Sequence, residues 1–531
     1  MNDTFLWWQR GIIYQIYPRS FMDSNGDGVG DLPGITSKLD YLQWLGVDAI
    51  WISPIFPSPM IDFGYDVSDY TAIYPLFGTL ADFDVLVSEA HRRDLKVILD
   101  YVPNQTSDQH PWFLESRASR HHPKRDWYIW CDPAPDGGPP NNWRGVFGGS
   151  AWEWDATTGQ YYYHAYLREQ PDLNWRHPAV KAAMLEVLRF WLDRGVDGFR
   201  VDALRQLIKD DQLRDNPPNP AYHPAQGPYH ALLPIYTTDR PEVLEMIAAM
   251  RPTVDQYPER LLIGELYLPI ERLMSYYGVD GLGVHLPFNF HLILTPWNAR
   301  QIEALISTYE AALPSDGWPN WVLGNHDQHR LASRIGHAQA RVAAMLLLTL
   351  RGTPTLYYGD ELGMHDVTIP PELVQDPWEK NVPGLGLGRD PERAPMPWDS
   401  GLNAGFTTGI PWLPVVPDSQ TVNVTAQRDD PTSLLTLYRR LIAHRRATPA
   451  LAVGAYTAME AHGDVLAYVR THAGQRCLVV LNLGARPHRF TSGQVQSQGR
   501  VALSTHLDRV NEDIRGTIAL RGDEGVIVTL A

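Results

Sequence analysis

Short runs of apolar, β-branched residues alternate along the chain with longer stretches in which apolar positions recur every three to four residues. The short runs fit strands buried on both faces and the longer stretches fit amphipathic helices, so their alternation is the pattern of βαβ units in a parallel sheet. Strands are predicted over Ile12–Tyr17, Ala49–Ser53, Lys96–Val102, Gly198–Ala203, Leu261–Leu266, Gly281–Leu286, Trp321–Asn325 and Thr353–Tyr358. Helices are predicted between them, over Ile35–Leu45, Leu80–Arg93, Pro178–Arg194, Pro241–Met250, Arg300–Ala312 and His337–Arg351. Eight strands separated by helices point to an α/β fold, a closed (β/α)8 TIM barrel, with an open doubly wound sheet as the alternative that pattern alone leaves standing.

Two segments break the rhythm. From about residue 105 to 174, after the third strand, the chain is rich in Trp, Tyr, Pro and Gly and has no helical period. An insertion of that length in a compact fold is expected to serve function. After a helix over Ser433–Arg446 the pattern turns to short strands: Val465–Arg470, Cys477–Leu481, Val501–Leu503 and Gly525–Leu530. This reads as a separate antiparallel β-sandwich. The expected organisation is a barrel from residues 1–104 and 175–450, an inserted loop-rich domain over 105–174, and a C-terminal all-β domain over 451–531.

A chain of 531 residues can bury a large core. Its formal net charge of −16 argues against a nucleic-acid or anionic-membrane partner and suits a neutral substrate. The two cysteines, Cys131 and Cys477, lie far apart, which fits a reducing compartment better than a structural disulfide. The N-terminus lacks the basic and apolar regions of a signal peptide, and no run reaches the ~20 apolar residues needed to span a bilayer. The cytoplasm is the expected location, with the chain a monomer or homodimer.

In such a barrel the chemistry sits at the C-terminal ends of the strands, where four acids fall: Asp100, Asp202, Glu265 and Asp327. One strand-end acid is usually a helix cap or loop ligand. Four on one rim raise one another's pKa and are costly to keep without use. Glycoside hydrolysis needs two carboxyl groups in opposite protonation states: a carboxylate attacks the anomeric carbon, while an acid protonates the leaving oxygen and then, as base, activates water. In Gly198-Phe-Arg-Val-Asp202, Arg200 and Asp202 point to one side of a strand, so a permanent cation is expected to hold Asp202 ionised as nucleophile. The plainer reading of that pair is a structural ion pair. Glu265, after Leu261-Leu-Ile-Gly264, is the expected acid/base, and Asp327 in Asn325-His-Asp327 the expected stabiliser of an oxocarbenium-like transition state.

Asp100-Tyr-Val-Pro-Asn104, Gly198-Phe-Arg-Val-Asp202, Gly264-Glu265 and Asn325-His-Asp327, in this order, resemble the motifs of glycoside hydrolase family 13, the α-amylase family. Gln170-Pro-Asp-Leu-Asn174 resembles the signature of its oligo-1,6-glucosidase and α-glucosidase branch. The resemblance runs from about Trp7 to the C-terminus. It implies the same three catalytic roles for Asp202, Glu265 and Asp327. It also implies a glucose subsite lined by Arg200 and His326, with Asp62 and Tyr65 on the non-reducing glucose, Tyr166 as an aromatic wall from the insertion, and Arg393 as partner of Asp62, with Arg389 close by. Phe147 and Trp152 are further insertion aromatics expected near the cleft. The family's first motif ends in Asn-His where this chain has Asn104-Gln105; Gln105 still donates a hydrogen bond but cannot become cationic. The residue after the nucleophile resembles a linkage marker, Val with α-1,6 and Thr or Ala with α-1,4 preference, and here it is Ala203. Asp215-Asn-Pro-Pro218 resembles a loop of bacterial α-glucosidases that favour short substrates and transfer glucose.

Asp23-Ser-Asn-Gly-Asp27-Gly-Val-Gly-Asp31 begins like a calcium loop, but the twelfth position, where an EF-hand carries Glu, is Gly34. Asp23, Asn25, Asp27, the Val29 carbonyl and Asp31 offer oxygens to one hard cation, and the family resemblance implies a structural Ca2+ or Mg2+ there; an acidic turn without metal is the alternative. No organic cofactor is expected. The favoured function is a retaining α-glucosidase acting on small, maltose-like α-glucosides, with transglucosylation. The rivals are a trehalose synthase or sucrose-active isomerase or glucosyltransferase of the same family, and a catalytically inactive binding subunit.

Overall fold

In the computed structural model, which describes residues 5–491 and 498–530, eight parallel strands close into a barrel. In chain order β1 (Ile13–Ile16), β2 (Ala49–Ile52) and β3 (Lys96–Tyr101) lead into the insertion. The insertion carries β4 (Trp130–Cys131), β5 (Trp152–Asp155) and β6 (Gln160–Tyr163), which form a small antiparallel sheet in the order β4-β6-β5. The barrel resumes with β7 (Gly198–Val201), β8 (Leu261–Leu266), β9 (Leu286–Asn289), β10 (Asn320–Val322) and β11 (Thr353–Tyr357), and closes where β11 pairs with β1.

Burial on both faces follows the strand period of two. Ile13, Ala49, Trp51, Ile98, Leu261, Ile263, Leu286, Phe288 and Val322 pack together inside the barrel. Their neighbours Tyr14, Ile50, Ile52, Val97, Leu99, Phe199, Val201 and Leu262 belong to the other core, against the surrounding helices. The inward column of each strand therefore starts apolar at the bottom. At the top it ends in polar residues: Ile98 is followed two residues on by Asp100, and Ile263 by Glu265. Among the flanking helices are Leu80–His91, Pro178–Asp193, Val243–Asp255, Ala299–Ala312, Leu331–Thr349 and Leu434–Ala447.

Beyond the barrel lie β12 (Ala455–His462), β13 (Val465–His472), β14 (Gln475–Asn482), β15 (His488–Thr491), β16 (Gly499–Ser504), β17 (Asp513–Ile514), β18 (Thr517–Leu520) and β19 (Gly525–Leu530). They form a six-stranded sheet, β12-β13-β14-β19-β16-β17, and a two-stranded one, β15-β18, that share one core. Val465, Ala467, Val469, Leu478 and Val480 face that core with Phe490, Ile518 and Leu520. The alternate residues Leu466, Tyr468, Val479 and Leu481 join the main core of the barrel and its helices. The buried Arg445 guanidinium seals the junction by donating to the carbonyls of Leu348, Leu350, Gly352 and Leu451 (2.6–3.1 Å).

Three sequence expectations are corrected. The sixth barrel strand is Leu286–Asn289, not Gly281–Leu286, because the glycines belong to a turn (Gly278 φ 75°, Gly281 φ 72°) and the strand starts only after it. The helix expected over Ile35–Leu45 is two, Leu32–Ser37 and Leu39–Leu45, broken at Lys38. The insertion is not free of helix: Pro111–Ala118 is helical, opened by Pro111 and capped by His110. Cys131 and Cys477 are both free, so no disulfide joins them. No helix among the described residues is long and apolar enough to cross a membrane.

Candidate active site

The C-terminal rim of the barrel gathers the expected acids around a cavity lined by Asp62, Tyr65, Gln105, Phe147, Tyr166, Asp202, Glu265, Asp327 and Arg389. Asp100 and Arg200 face each other across the β3–β7 ladder, one layer below the cavity floor. The buried Arg200 guanidinium meets three carboxylates: Nη1 lies 2.8 Å from Asp100 Oδ1 and 2.6 Å from Asp202 Oδ1, and Nη2 lies 3.1 Å from Glu265 Oε2. Ala203 is turned into the left-handed region (φ 47°, ψ 31°), which aims its N–H at Glu265 Oε2 (2.8 Å). A single positive-φ residue after the strand thus fixes the side chain of the next strand.

One cation among three carboxylates leaves this half short of positive charge. Burial is the largest influence on Asp202 and pushes its carboxyl well above the usual carboxylate range; Glu265 adds to this, Arg200 opposes it and Asp100 adds again. Burial likewise pushes Asp100 up to about 6, against the pull of Arg200. The expectation that Arg200 holds Asp202 ionised is corrected accordingly: the guanidinium is divided among three acids, and the group takes up a proton more readily than isolated acids do.

The opposite wall is built from the loops after β10 and β11. Arg389 donates to Asp62 Oδ1 (2.8 Å), Asp327 Oδ1 (3.2 Å) and Asp376 Oδ2 (2.7 Å). Arg393 donates to Asp327 Oδ1 (2.9 Å) and to the His326 carbonyl (2.8 Å). The partner of Asp62 is therefore Arg389, not Arg393, which sits behind the wall and serves Asp327. Burial opposes ionisation of Asp327, but His326, Arg389 and Arg393 together hold its carboxyl below the usual carboxylate range. Burial keeps the His326 ring neutral, its pKa well below the usual histidine value. Gln15 Nε2 donates to His326 Nδ1 (2.7 Å), which leaves Nε2 to donate to the Tyr65 hydroxyl (2.7 Å), whose proton goes to Asp100 Oδ2 (3.1 Å).

The insertion closes the remaining side. Gln170 donates to Asp62 Oδ2 and to the Tyr65 carbonyl (3.1 Å each). Asp172 is paired with Lys209 and accepts from Asn104 Nδ2 (2.9 Å). These contacts give the Gln170–Asn174 motif its physical meaning: it ties the insertion to the first-motif loop and to Asp62. Gln105 Nε2 donates to the Tyr65 carbonyl (3.0 Å) and Oε1 accepts from Asn104 (2.9 Å), which leaves the second amide N–H of this cavity-lining residue outside those bonds. Phe147 lies tilted against Tyr166 (5.6 Å between centroids, 50° between planes) and under the Arg389 guanidinium (4.9 Å). Trp152 instead stacks on Trp143 inside the insertion (5.8 Å) and does not line the cavity. Arg200, His326, Arg393 and Ala203 are buried behind the lining.

Sequence reasoning missed Asp376, Gln15, Trp51 and Gln206. Trp51 Nε1 donates to Asp100 Oδ2 (3.2 Å) and Gln206 Nε2 to the Tyr166 hydroxyl (3.1 Å). Gln15 and Trp51 were legible in principle, as inward polar positions on β1 and β2; Asp376 offered only the Asp-Pro start of a short helix, Pro377–Asn381.

Away from the cavity, the loop after β1 folds in three consecutive turns in which the N–H of Asn25, Asp27 and Val29 donates to the side chain two residues back (2.9 Å each). Asp23 also accepts from Gly26 and Gly28, and Asp31 from Ser24 and Gly34, the last as N-cap of Leu32–Ser37.

A barrel of this topology, with acids on three strand ends and a lobe inserted after β3, defines a class, and the model of the α-amylase catalytic domain matches residues 15–454. The chain belongs to the α-amylase family of glycoside hydrolases. Among its relatives, a probable alpha-glucosidase of Rhizobium meliloti (strain 1021) is 44% identical over 495 residues, covering 90% of this chain and 89% of the relative. The solved structure of the alpha-glucosyl transfer enzyme XgtA superposes with a TM-score of 0.94 at 42% identity, covering 99% of this chain and 100% of that one. That of the trehalulose synthase MutB from Pseudomonas mesoacidophila MX-45 gives 0.91 at 35% identity, covering 100% of both.

Proposed function

We propose that the protein is a retaining α-glucosidase that releases terminal α-linked glucose from short, maltose-like oligosaccharides and transfers it to acceptors. The observation that carries this reading is the cavity itself. It is small, blind on the side of the Asp62–Arg389 pair, and lined by Asp202, Glu265 and Asp327 together. A blind pocket admits one sugar ring and exposes only its reducing-end bond to the acids.

In this reading Asp202 attacks the anomeric carbon while Glu265 protonates the leaving oxygen. Glu265 Oε2 is tied to the Ala203 N–H and to Arg200, so the transferable proton resides on Oε1. As the glucosyl ester forms, negative charge leaves Asp202 and Arg200 shifts its support toward Glu265, now ionised and ready to take a proton from water or an acceptor sugar. Asp327, held ionised by its two arginines, faces the positive charge that develops on the ring. Asp62 and Arg389 bind the far hydroxyls, Tyr65 stacks on the ring, Gln105 donates one hydrogen bond, and Phe147 and Tyr166 wall the bond to be cleaved.

Linkage preference for α-1,4 rests on Ala203. An isomerase or glucosyltransferase reading fits the same site, since XgtA and MutB share the fold; it differs only in how well water is kept from the glucosyl ester. The oxygen donors of the loop (Asp23, Asn25, Asp27, the Val29 carbonyl and Asp31) are of the type a hard divalent cation, Ca2+ or Mg2+, takes, and such an ion, when bound, would supply positive charge to an acidic turn. It lies outside the reaction steps. The two free cysteines fit the cytoplasm.

The test is product analysis by NMR with maltose and, in parallel, isomaltose and sucrose. Early α-glucose from maltose, with glucosylated sugars accumulating later, supports the proposal. Accumulation of trehalose from maltose or of a sucrose isomer from sucrose replaces it by the isomerase reading, and β-glucose as first product overturns the retaining mechanism.

A further inference from the structure

Directly behind the Asp327 wall lies a cluster that the glucosidase chemistry does not use. His329 Nδ1 is 2.9 Å from Asp366 Oδ2 and 3.8 Å from Glu392 Oε2, and the three ligand atoms all lie within 4.8 Å of one another. The Glu392 side chain is only 2% exposed, and its Oε2 is buried with no hydrogen-bond partner, aimed at the other two groups. A buried carboxylate oxygen without a partner is expensive unless something cationic meets it. The Arg393 guanidinium next in sequence does not meet it, since it is spent on Asp327, Asp376 and the His326 carbonyl. Asp366 Oδ1 accepts from the Arg330 N–H (2.8 Å), which fixes that side chain and leaves Oδ2 for the cluster. His329, by contrast, is 54% exposed, so the group opens to solvent on one side.

We propose that His329, Asp366 and Glu392 form a binding site for a divalent transition-metal ion of the zinc class. Imidazole nitrogen and carboxylate oxygen are both ligand types that Zn2+ takes, and three such ligands leave a fourth position open to water. Metal–ligand bonds of about 2.0–2.2 Å in tetrahedral array hold ligand atoms about 3.4 Å apart, and the 2.9 and 3.8 Å separations bracket that value. Small rotations of His329 and Glu392 suffice to form it. The nitrogen ligand separates this site in chemistry from the all-oxygen loop at Asp23–Asp31, which suits a harder ion.

Its position gives the ion a consequence. His329 follows Asp327 by two residues and Glu392 precedes Arg393, so a bound ion bridges the two loops whose meeting holds Asp327 in place. The second histidine cluster, His337, His365 and Asp418, satisfies the same distance limit but has no fully buried member.

The experiment is titration of the whole, EDTA-treated protein with Zn2+ in millimolar Ca2+, read by isothermal calorimetry and thermal unfolding, together with crystals soaked in Zn2+ and measured at the zinc absorption edge. Wild type is expected to bind Zn2+ with an anomalous peak between His329, Asp366 and Glu392, and to gain roughly 2 °C or more in Tm. Outer-shell changes alone typically cost about 10–100-fold in metal affinity, so His329→Ala and Glu392→Gln are each expected to weaken binding at least that much. His329 is half-exposed, so its variant keeps the test open should Glu392→Gln fail to fold. Zn2+ affinity unchanged in His329→Ala, or the peak found only at His337 and His365, overturns the site. Absence of uptake by wild type also overturns it, leaving His329–Asp366 as an ordinary ion pair.

Discussion

The two halves of the cavity solve opposite electrostatic problems with the same residue types. On the β3, β7 and β8 side, Asp100, Asp202 and Glu265 share one guanidinium, Arg200. On the loop side, Asp62, Asp327 and Asp376 share two, Arg389 and Arg393. All six acids are wholly or largely buried, so the number of cations that meet each carboxylate weighs heavily on its ionisation. On the barrel side burial pushes Asp202 above the usual range and Asp100 up to about 6; on the loop side burial still raises Asp62 against the pull of Arg389, while His326, Arg389 and Arg393 hold Asp327 below the ordinary range. The raised Asp100 and Asp202 thus share one wall, and the fixed negative charge of Asp327 stands on the other.

Substitutions on the two walls should separate in kind as well as size. Asp202→Asn is expected to lower kcat on maltose by about 10⁴-fold or more, measured by glucose release. Glu265→Gln should cost about 10²–10⁴-fold on maltose and far less on a 4-nitrophenyl α-glucoside, whose leaving group needs no proton. Equal losses on both substrates would remove Glu265 from the acid role.

Arg389→Ala breaks a buried pair and leaves three acids with one cation. It should destabilise the fold by about 3–5 kcal/mol in urea unfolding, and raise KM more than it lowers kcat. Because Arg389 is one of the groups that hold Asp327 down, its loss should also move the Asp327 carboxyl upward and shift the pH profile; an unchanged profile would contradict the cation-ratio account.

That profile sharpens the comparison. An ordinary aspartate has a pKa of about 3.9; with Asp202 raised above it, the nucleophile is lost to protonation on acidification earlier than usual, so the acid limb of kcat/KM should lie above about pH 4. Asp100→Asn removes a like charge and frees Arg200 for Asp202, which lowers the Asp202 pKa and moves that limb to lower pH. A limb that stays put or rises contradicts the shared-cation account. The smallest effect is expected at Gln105→His. A single hydrogen bond to a sugar hydroxyl is worth about 1 kcal/mol, so KM should change by roughly fivefold with kcat intact.

How far the sequence alone reaches differs between the two walls for the same physical reason. Asp100, Arg200, Asp202 and Glu265 stand on or just beyond inward columns of strands, where a period of two converts spacing into position. Arg389 and Arg393 lie after β11, four residues apart and with no strand or helix period to separate them, so the sequence pairs Asp62 with Arg393 where the structure pairs it with Arg389. Asp376 had no signal because its neighbours are brought to it only by the loop's path. The barrel was legible from alternation, and it failed at Leu286–Asn289, where glycines and Pro287 blur a strand's start. In the C-terminal domain β12 was missed because it shows little apolar alternation: most of its residues are exposed or half-buried. The proton-raising crowd around Arg200 could not be foreseen from the Arg200–Asp202 pair, since it needs the β3–β7–β8 neighbourhood.

The most direct test of this account is to catch the intermediate. Glu265→Gln, mixed with a 4-nitrophenyl α-glucoside and quenched in acid, should retain one glucosyl unit, and peptide mass spectrometry should place it as an ester on Asp202. An unmodified Asp202 in protein that has released a stoichiometric burst of nitrophenol, or an adduct on Asp100 or Asp327, would contradict the division of labour between the two walls.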